Sequence, residues 1–548
     1  MKAKINIVAL VICSLFMAMG YPDGAKGELP KSIVRADASN SLGTFSNMAG
    51  GVNFWGPIEL RQMFVDDVGT DLGRIKIRLH EVQKEGDSYT NLPFSEEDFK
   101  QELELPPGAN PRFMIQIYGV PYWLSTSKDT RIFTNNIPNY AKYPAIDYEE
   151  WSRLVSATVT RLKECGLASG AHYEIFGEPN MSSTWYQQIM VNPNGPDEPN
   201  ELGHNTAEVM QNFYKIYEYT ALGIRAADPD AKIGGVAIVA GLSGFWWTRL
   251  LCQEIKARNL PLDFYSWHTY RTDEKLSELL ALTPVTWEKV REVFEPRFRW
   301  YGFYSDQIEA LVDDVYRYIN ALQQRGQEAV RRPYSFHSTL LKDVLGEEGF
   351  GEVELFLTEW NVNCGRDIRH GTHYGASFVT RGLIDLTDSY TEAQTFYCLR
   401  EPVNMGGDMS LFAGNIPKAS FNAFKSFAML GSDNERISVG SSDSDIYSIA
   451  TRDHESISLL ATYYVMDEQP EYFSPSAVKE VTVEIQHIPF EGYNYEIYLI
   501  SGNHSNAFFG SGPELELVRQ GTGSGDFEES GNLGIYGVVL IKINKIES

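Results

Sequence analysis

The 548-residue sequence predicts a parallel (β/α)8 barrel followed by an antiparallel β-sandwich, and three observations carry that prediction. From about residue 50 to 430, eight short β-rich runs alternate with longer helical patterns. Several of those runs are continuously apolar, as strands buried on both faces require, and no glycine-rich nucleotide fingerprint follows the first, which argues against an open doubly wound sheet. After Leu430 the helical period disappears and short alternating strands with Gly, Ser, Asn and Asp turns take over.

Met1-Lys2-Ala3-Lys4 precedes an apolar run, Ile5 to Met19, which is short for a bilayer span. Ala18-Met19-Gly20 offers small residues for cleavage, so residues 1–20 read as a signal peptide and the protein as exported, periplasmic or secreted. Residues 21–47 are expected to form an N-terminal segment that adds a strand to the sandwich. Residues 48–430 are the barrel. Its strands are expected at Gly51–Trp55, Arg74–Leu79, Arg112–Tyr118, His172–Phe176, Lys232–Ile238, Leu262–Trp267, Val353–Thr358 and Ala393–Leu399. Between them, Trp151, Val155, Val159 and Leu162 recur at helical spacing, as do Ile308, Leu311, Val312, Val315, Ile319 and Leu322. Residues 431–548 form the sandwich, with strands such as Ile446–Thr451, Ile457–Tyr464 and Ile535–Ile543. Gly521-Thr522-Gly523-Ser524-Gly525 reads as a mobile loop, because no helix follows it to make a phosphate cradle.

Composition excludes several functions. Lys plus Arg total 47 against 73 Asp plus Glu, a net charge of −26 that repels polyanions, so no nucleic-acid partner is expected. No stretch beyond the leader reaches 18 apolar residues, so no membrane partner is expected after signal cleavage. The five cysteines form no CxxC pair and the ten histidines do not cluster, so neither a metal nor a cofactor is expected.

In a barrel enzyme the reacting groups stand at the C-terminal ends of strands. Four such ends are polar: Arg78-Leu79-His80, Gly177-Glu178-Pro179-Asn180, His268-Thr269-Tyr270 and Thr358-Glu359-Trp360-Asn361. Glu178 and Glu359 can therefore face each other across the mouth. Paired carboxyl groups are what glycosidic cleavage needs, one donating a proton and the other attacking carbon or activating water. A separation of about 5–5.5 Å means retention, and about 6.5–9.5 Å inversion.

These motifs, in this order, resemble glycoside hydrolase family 39, with its β-xylosidases, α-L-iduronidases and exopolysaccharide hydrolases. The resemblance implies Glu178 as acid/base, Glu359 as nucleophile, net retention, and a poly- or oligosaccharide substrate. Within it Tyr270 would hydrogen-bond Glu359, Arg78 would lie beneath the nucleophile, and His80, His268 and Asn180 would bind substrate. Trp55, Trp123, Trp185 and Trp360 are stacking candidates. One departure stands out: Gly177 occupies the place of the family's asparagine, which contacts the sugar 2-hydroxyl. An unusual sugar at that position, or a donor from another loop, is the expectation. Arg297-Phe298-Arg299 suggests a clamp for an anionic or sulfated sugar, against the plainer reading of a solvated helix face. Two alternatives remain: an exo-β-xylosidase acting on neutral plant oligosaccharides, and a non-catalytic carbohydrate-binding protein on a decayed barrel.

Overall fold

The computed structural model describes residues 30–53, 56–90, 92, 112–134, 137–181, 206–270, 272–282, 284–300, 303–400, 407–466, 477–508 and 510–546. An N-terminal strand, β1 (Lys31–Thr44), precedes eight parallel barrel strands. These are β2 (Gly51–Asn53), β3 (Leu72–Arg78), β4 (Arg112–Tyr118), β5 (His172–Ile175), β6 (Lys232–Gly234), β7 (Phe264–Tyr270), β8 (Glu354–Asn361) and β9 (Ala393–Gln394). They neighbour one another in sequence order, and a parallel bridge between Val52 and Phe396 brings the last segment back to the first. A Cβ on Gly51 would lie 1.5 Å from the carbonyl oxygen of Gln394, so the seam closes because residue 51 has no side chain. Each of the eight strands overlaps its expected range; β7 and β8 run three residues past Trp267 and Thr358, while β6 ends at Gly234 and β9 at Gln394.

The helices follow from local sequence. In α1 (Tyr148–Glu164), Asp147 caps the start by accepting from the Glu150 N–H, and Trp151, Leu154, Val155, Val159 and Leu162 form the buried stripe. It packs on α2 (Thr206–Ala227). After β7 come α3 (Thr272–Ala281), α4 (Trp287–Trp300) and α5 (Ser305–Arg325), and α6 (His373–Thr387) follows β8.

Layers of side chains fill the barrel. Leu72, Met114, Phe264, Phe356 and Ala393 make an apolar floor. Two residues further along their strands, Arg74, Gln116, Ser266 and Thr358 replace them, so the period of two carries the interior from oil to polar groups within one step. The floor excludes water from below, and the polar layer is therefore strongly electrostatic.

Beyond the barrel, β10 (Glu435–Ser441), β11 (Ile446–Arg452), β12 (Ser456–Tyr463), β13 (Val478–Gln486), β14 (Tyr493–Ile500), β15 (Glu516–Gly523), β16 (Phe527–Gly534) and β17 (Val538–Lys545) form a nine-stranded sheet with β1. Its pairs are antiparallel except β1 with β13. Val34, Ile437, Ile457, Val483, Ile497 and Phe527 meet in its own core. The glycine run expected as a loop is instead mostly strand: Gly521 and Gly523 pair with Tyr495 and Tyr493. A Cβ at Gly523 would meet the Tyr493 ring at 2.6 Å and one at Gly521 the Tyr495 ring at 2.7 Å, so the rings cover the glycines and supply the packing that the strand itself lacks.

Candidate active site

Glu178 follows the end of β5 in a left-handed turn, with φ +51° at Glu178 and +56° at Phe176. Such values are costly for residues with a Cβ, and here the surroundings enforce them. The Glu178 N–H donates to the carbonyls of Val236 and Ala237, and Phe176 N–H to Ile117. Asn180 locks the turn from the far side, donating to the Val239 carbonyl at 3.0 Å and accepting from the Val239 N–H at 3.1 Å.

Glu359 owes its position to a bulge. Trp267 pairs with Leu357 and His268 pairs with Glu359, leaving Thr358 as an extra residue in β8. Thr358 and Glu359 consequently both reach the barrel interior, and Trp360 turns out into the core. One oxygen of Glu178, one of Glu359 and a ring nitrogen of His268 all lie within 4.8 Å of one another.

Each oxygen of Glu359 has a donor. Arg74 Nη1 reaches Oε1 at 2.6 Å, and the Tyr270 hydroxyl reaches Oε2 at 2.8 Å. Burial on its own would raise the pKa of Glu359. The positive charges of His268 when protonated, Arg74 and Lys76, with the Arg74 hydrogen bond, outweigh it and hold the carboxyl down at about 2. Burial and the Glu359 charge push the Tyr270 phenol far above its ordinary value, so it remains a donor.

Beneath them lies a second, fully buried carboxylate, Glu174. Arg74 donates to it through Nε (3.0 Å) and Nη2 (2.5 Å), Gln116 Nε2 at 2.9 Å, Ser266 at 2.6 Å and Thr358 at 2.9 Å. Because the single Thr358 proton goes to Glu174, its oxygen accepts from His268 Nε2, 3.1 Å away. That assignment leaves His268 Nδ1 facing Glu178 Oε1 at 2.8 Å. A proton shared across that contact can reside on the carboxyl group, which is what an acid/base residue requires.

Glu178, His268 and Glu359 also make the group of donor atoms best placed for a metal among the described residues. Arg74 and Tyr270 already engage both oxygens of Glu359, however, and the Lys76 charge opposes a second cation.

Several expected site residues lie elsewhere. The arginine beneath Glu359 is Arg74. Arg78, four residues along β3, stands about 13 Å further up at the strand's rise per residue. His268 bonds Glu178 and Thr358 rather than standing free for sugar hydroxyls. Asn180 has its amide committed to backbone. His80, on a 3-10 turn, is 4% exposed with Nδ1 against Gly119, and burial together with the Arg78 charge lowers its pKa to about 4. Trp360 is entirely buried among Tyr334, Phe378, Phe396 and Phe424, with no face for a sugar. Trp123 is partly buried, stacks on Tyr89 and donates to the Val82 carbonyl. Trp55 and Trp185 lie outside the described residues. Arg299 pairs with Glu295 one turn back along α4 and donates to the Ser305 hydroxyl at the start of α5, and Arg297 lies over Phe294, so these arginines are engaged by their own helix and the next.

At Gly177 a Cβ would lie 2.4 Å from Gln116 Nε2. Gln116 thus fills the space that an asparagine would use, while its amide donates to Glu174 and the Phe176 carbonyl. Arg74, Gln116 and Glu174 were missed from sequence, although Arg74-Ile75-Lys76-Ile77-Arg78 alternates strictly and marks three basic residues on one strand face.

Comparison with known proteins agrees with this architecture. The family model for glycosyl hydrolases family 39 matches residues 97–312. A β-xylosidase of Caldicellulosiruptor saccharolyticus is 23% identical over 383 residues, 68% of this chain and 63% of that protein. One from Geobacillus stearothermophilus is 23% identical over 305 residues, covering 53% and 48%. The chain thus spans about half to two-thirds of the length of these relatives. A monomeric β-xylosidase from Caulobacter crescentus CB15 shares the fold, with a TM-score of 0.65 at 15% identity over 94% of this chain and all of the other. By its family-model match and its sequence relatives, this chain is similar to glycosyl hydrolases family 39.

Proposed function

We propose that the protein hydrolyses glycosidic bonds of a poly- or oligosaccharide by double displacement, with retention. The observation that carries this reading is the pair Glu178 and Glu359, with oxygens within 4.8 Å of each other. That closeness supports retention over inversion, which needs the wider separation of about 6.5–9.5 Å. In the first step Glu178 gives its proton to the leaving oxygen while Glu359 attacks the anomeric carbon and forms an ester. In the second, Glu178 takes a proton from water as that water attacks the same carbon and releases Glu359. Arg74 and Tyr270 hold Glu359 ionised and aimed. The apolar floor and the buried polar layer beneath keep those charges effective.

The names of its relatives favour β-xylosides as one substrate class. The leader-like residues 1–20 support export. Product anomers followed by NMR on an oligosaccharide panel test the reading, and inverted product overturns it. Glu178→Gln and Glu359→Gln should each lower turnover by about a hundredfold or more while the fold survives. Unchanged function in both would favour a non-catalytic binding protein.

A further inference from the structure

The bulge that turns Glu359 inward is held from the barrel seam. Thr358, the extra residue, has no partner in the register between β7 and β8, so the ladder is disrupted there. Side chains serve its carbonyl instead. Thr395, directly after β9, donates from Oγ1 to the Thr358 carbonyl at 2.7 Å. Asn53, the last residue of β2, donates from Nδ2 to the same carbonyl at 3.2 Å. That amide also reaches the Phe396 carbonyl at 3.2 Å and Thr395 Oγ1 at 3.3 Å. Both residues are buried. Because β2 and β9 are the strands that meet where the barrel closes, closure brings both donors onto the bulge.

The other end of Asn53 faces Arg74. Its Oδ1 accepts from Arg74 Nη1 at 3.1 Å, and the same Nη1 donates to Glu359 Oε1 at 2.6 Å. The guanidinium can only donate and the two carbonyls can only accept, so the amide has one allowed orientation. An isosteric aspartate or leucine cannot serve both ends. Asn53 therefore ties the main chain just before Glu359 to the arginine that holds its carboxylate. We propose that Asn53 and Thr395 are positioning residues for the nucleophile: together they fix the bulge, and Asn53 also fixes the direction of Arg74. They act through Thr358 and Arg74, and a displacement of the attacking oxygen by about 1 Å is enough to cost about a hundredfold in rate. This rests on the double-displacement reading and extends it to residues outside the site.

The test compares the parent with Asn53→Ala, Thr395→Val and Thr395→Ser on an aryl β-xyloside whose leaving group needs no proton. Its kcat/KM then reads attack by Glu359 rather than proton donation by Glu178. The expected fall is about tenfold in Thr395→Val and about tenfold to a hundredfold in Asn53→Ala, with the inhibition constant of xylose unchanged. Thr395→Ser keeps the hydroxyl and should retain most of the parent rate. A second measurement is independent of turnover. Between pH 4.5 and 2 the melting temperature should fall further in the parent than in Glu359→Gln, and introducing Asn53→Ala into both should shrink that difference. Variants that lose stability with kcat/KM unaltered overturn the proposal, as does an equal loss of rate in Thr395→Val and Thr395→Ser. An unchanged acid-dependent difference overturns the part assigned to Arg74. If Asn53→Ala does not fold, Thr395→Val, which keeps the side-chain shape, decides by its kinetics. A parent that cleaves no glycoside, with the acid-dependent difference still reduced by Asn53→Ala, overturns the hydrolase reading alone.

Discussion

Glu359 meets its donors through single atoms, and each can be removed. Tyr270→Phe takes away the donor to Oε2 and leaves Arg74 in place. The loss of a hydrogen bond to a charged group is worth about 1.5–3 kcal/mol, so kcat/KM should fall about tenfold to a hundredfold. The acid limb of the pH profile should also move upward. In the parent, a carboxyl held at about 2 against an ordinary 4.5 contributes stability above pH 4.5 that is lost as pH falls towards 2. Melting temperature should therefore drop across that window, and less so in Glu359→Gln. Gly177→Asn is a separate case. Its Cβ meets the Gln116 amide, so the variant should be less stable than the parent, and Gln116→Ala should restore much of the loss. The two carboxylates and Tyr270 were legible in the sequence because strand ends in a barrel are polar only for a reason. Glu174 was not, since a carboxylate buried under the site looks in sequence like any glutamate in a strand.

The elements were predictable where a period reveals them and obscure where it breaks. Continuous apolar runs revealed β4 and β8, and the stripe from Trp151 to Leu162 revealed α1. The bulge at Thr358 left no signature, and it reverses the side on which each following residue falls. Trp360 consequently packs in the core instead of facing sugar. Trp360→Ala should cost about 3–5 kcal/mol and lower the melting temperature, as loss of a buried ring does. Helix packing gives a second test at this scale. On α2, a Cβ at Gly223 would lie 2.5 Å from the Ser152 carbonyl oxygen of α1 and 2.9 Å from Val155. Gly223→Ala should destabilise by about 1–3 kcal/mol through overpacking, despite its better helix propensity, which calorimetry can measure.

At the scale of the molecule, the sandwich is fastened to the start of α3, the helix that follows the strand carrying Tyr270. Arg381 on α6, fully buried, pairs with Asp273 at 3.2 Å, and Tyr464, just past β12, donates to the same carboxylate at 2.7 Å. Ser377 and Thr462 share a hydrogen bond close by at 2.7 Å. Asp273 is the second residue of α3, three positions after Tyr270, so the sandwich fixes the start of the segment that leads away from Tyr270. Removing Arg381 leaves Asp273 buried without its cation, a loss of about 3–5 kcal/mol for a broken buried pair. Arg381→Met should therefore lower the melting temperature and also kcat/KM on a neutral aryl xyloside, although Arg381 contacts no reacting group. Arg381→Met combined with Asp273→Asn should recover part of the stability, because no buried charge then lacks a partner. With the junction intact, barrel and sandwich should unfold in one calorimetric transition. Two separate transitions in the parent, or an Arg381→Met variant that loses stability with unaltered kinetics, would show that the sandwich does not act on the site.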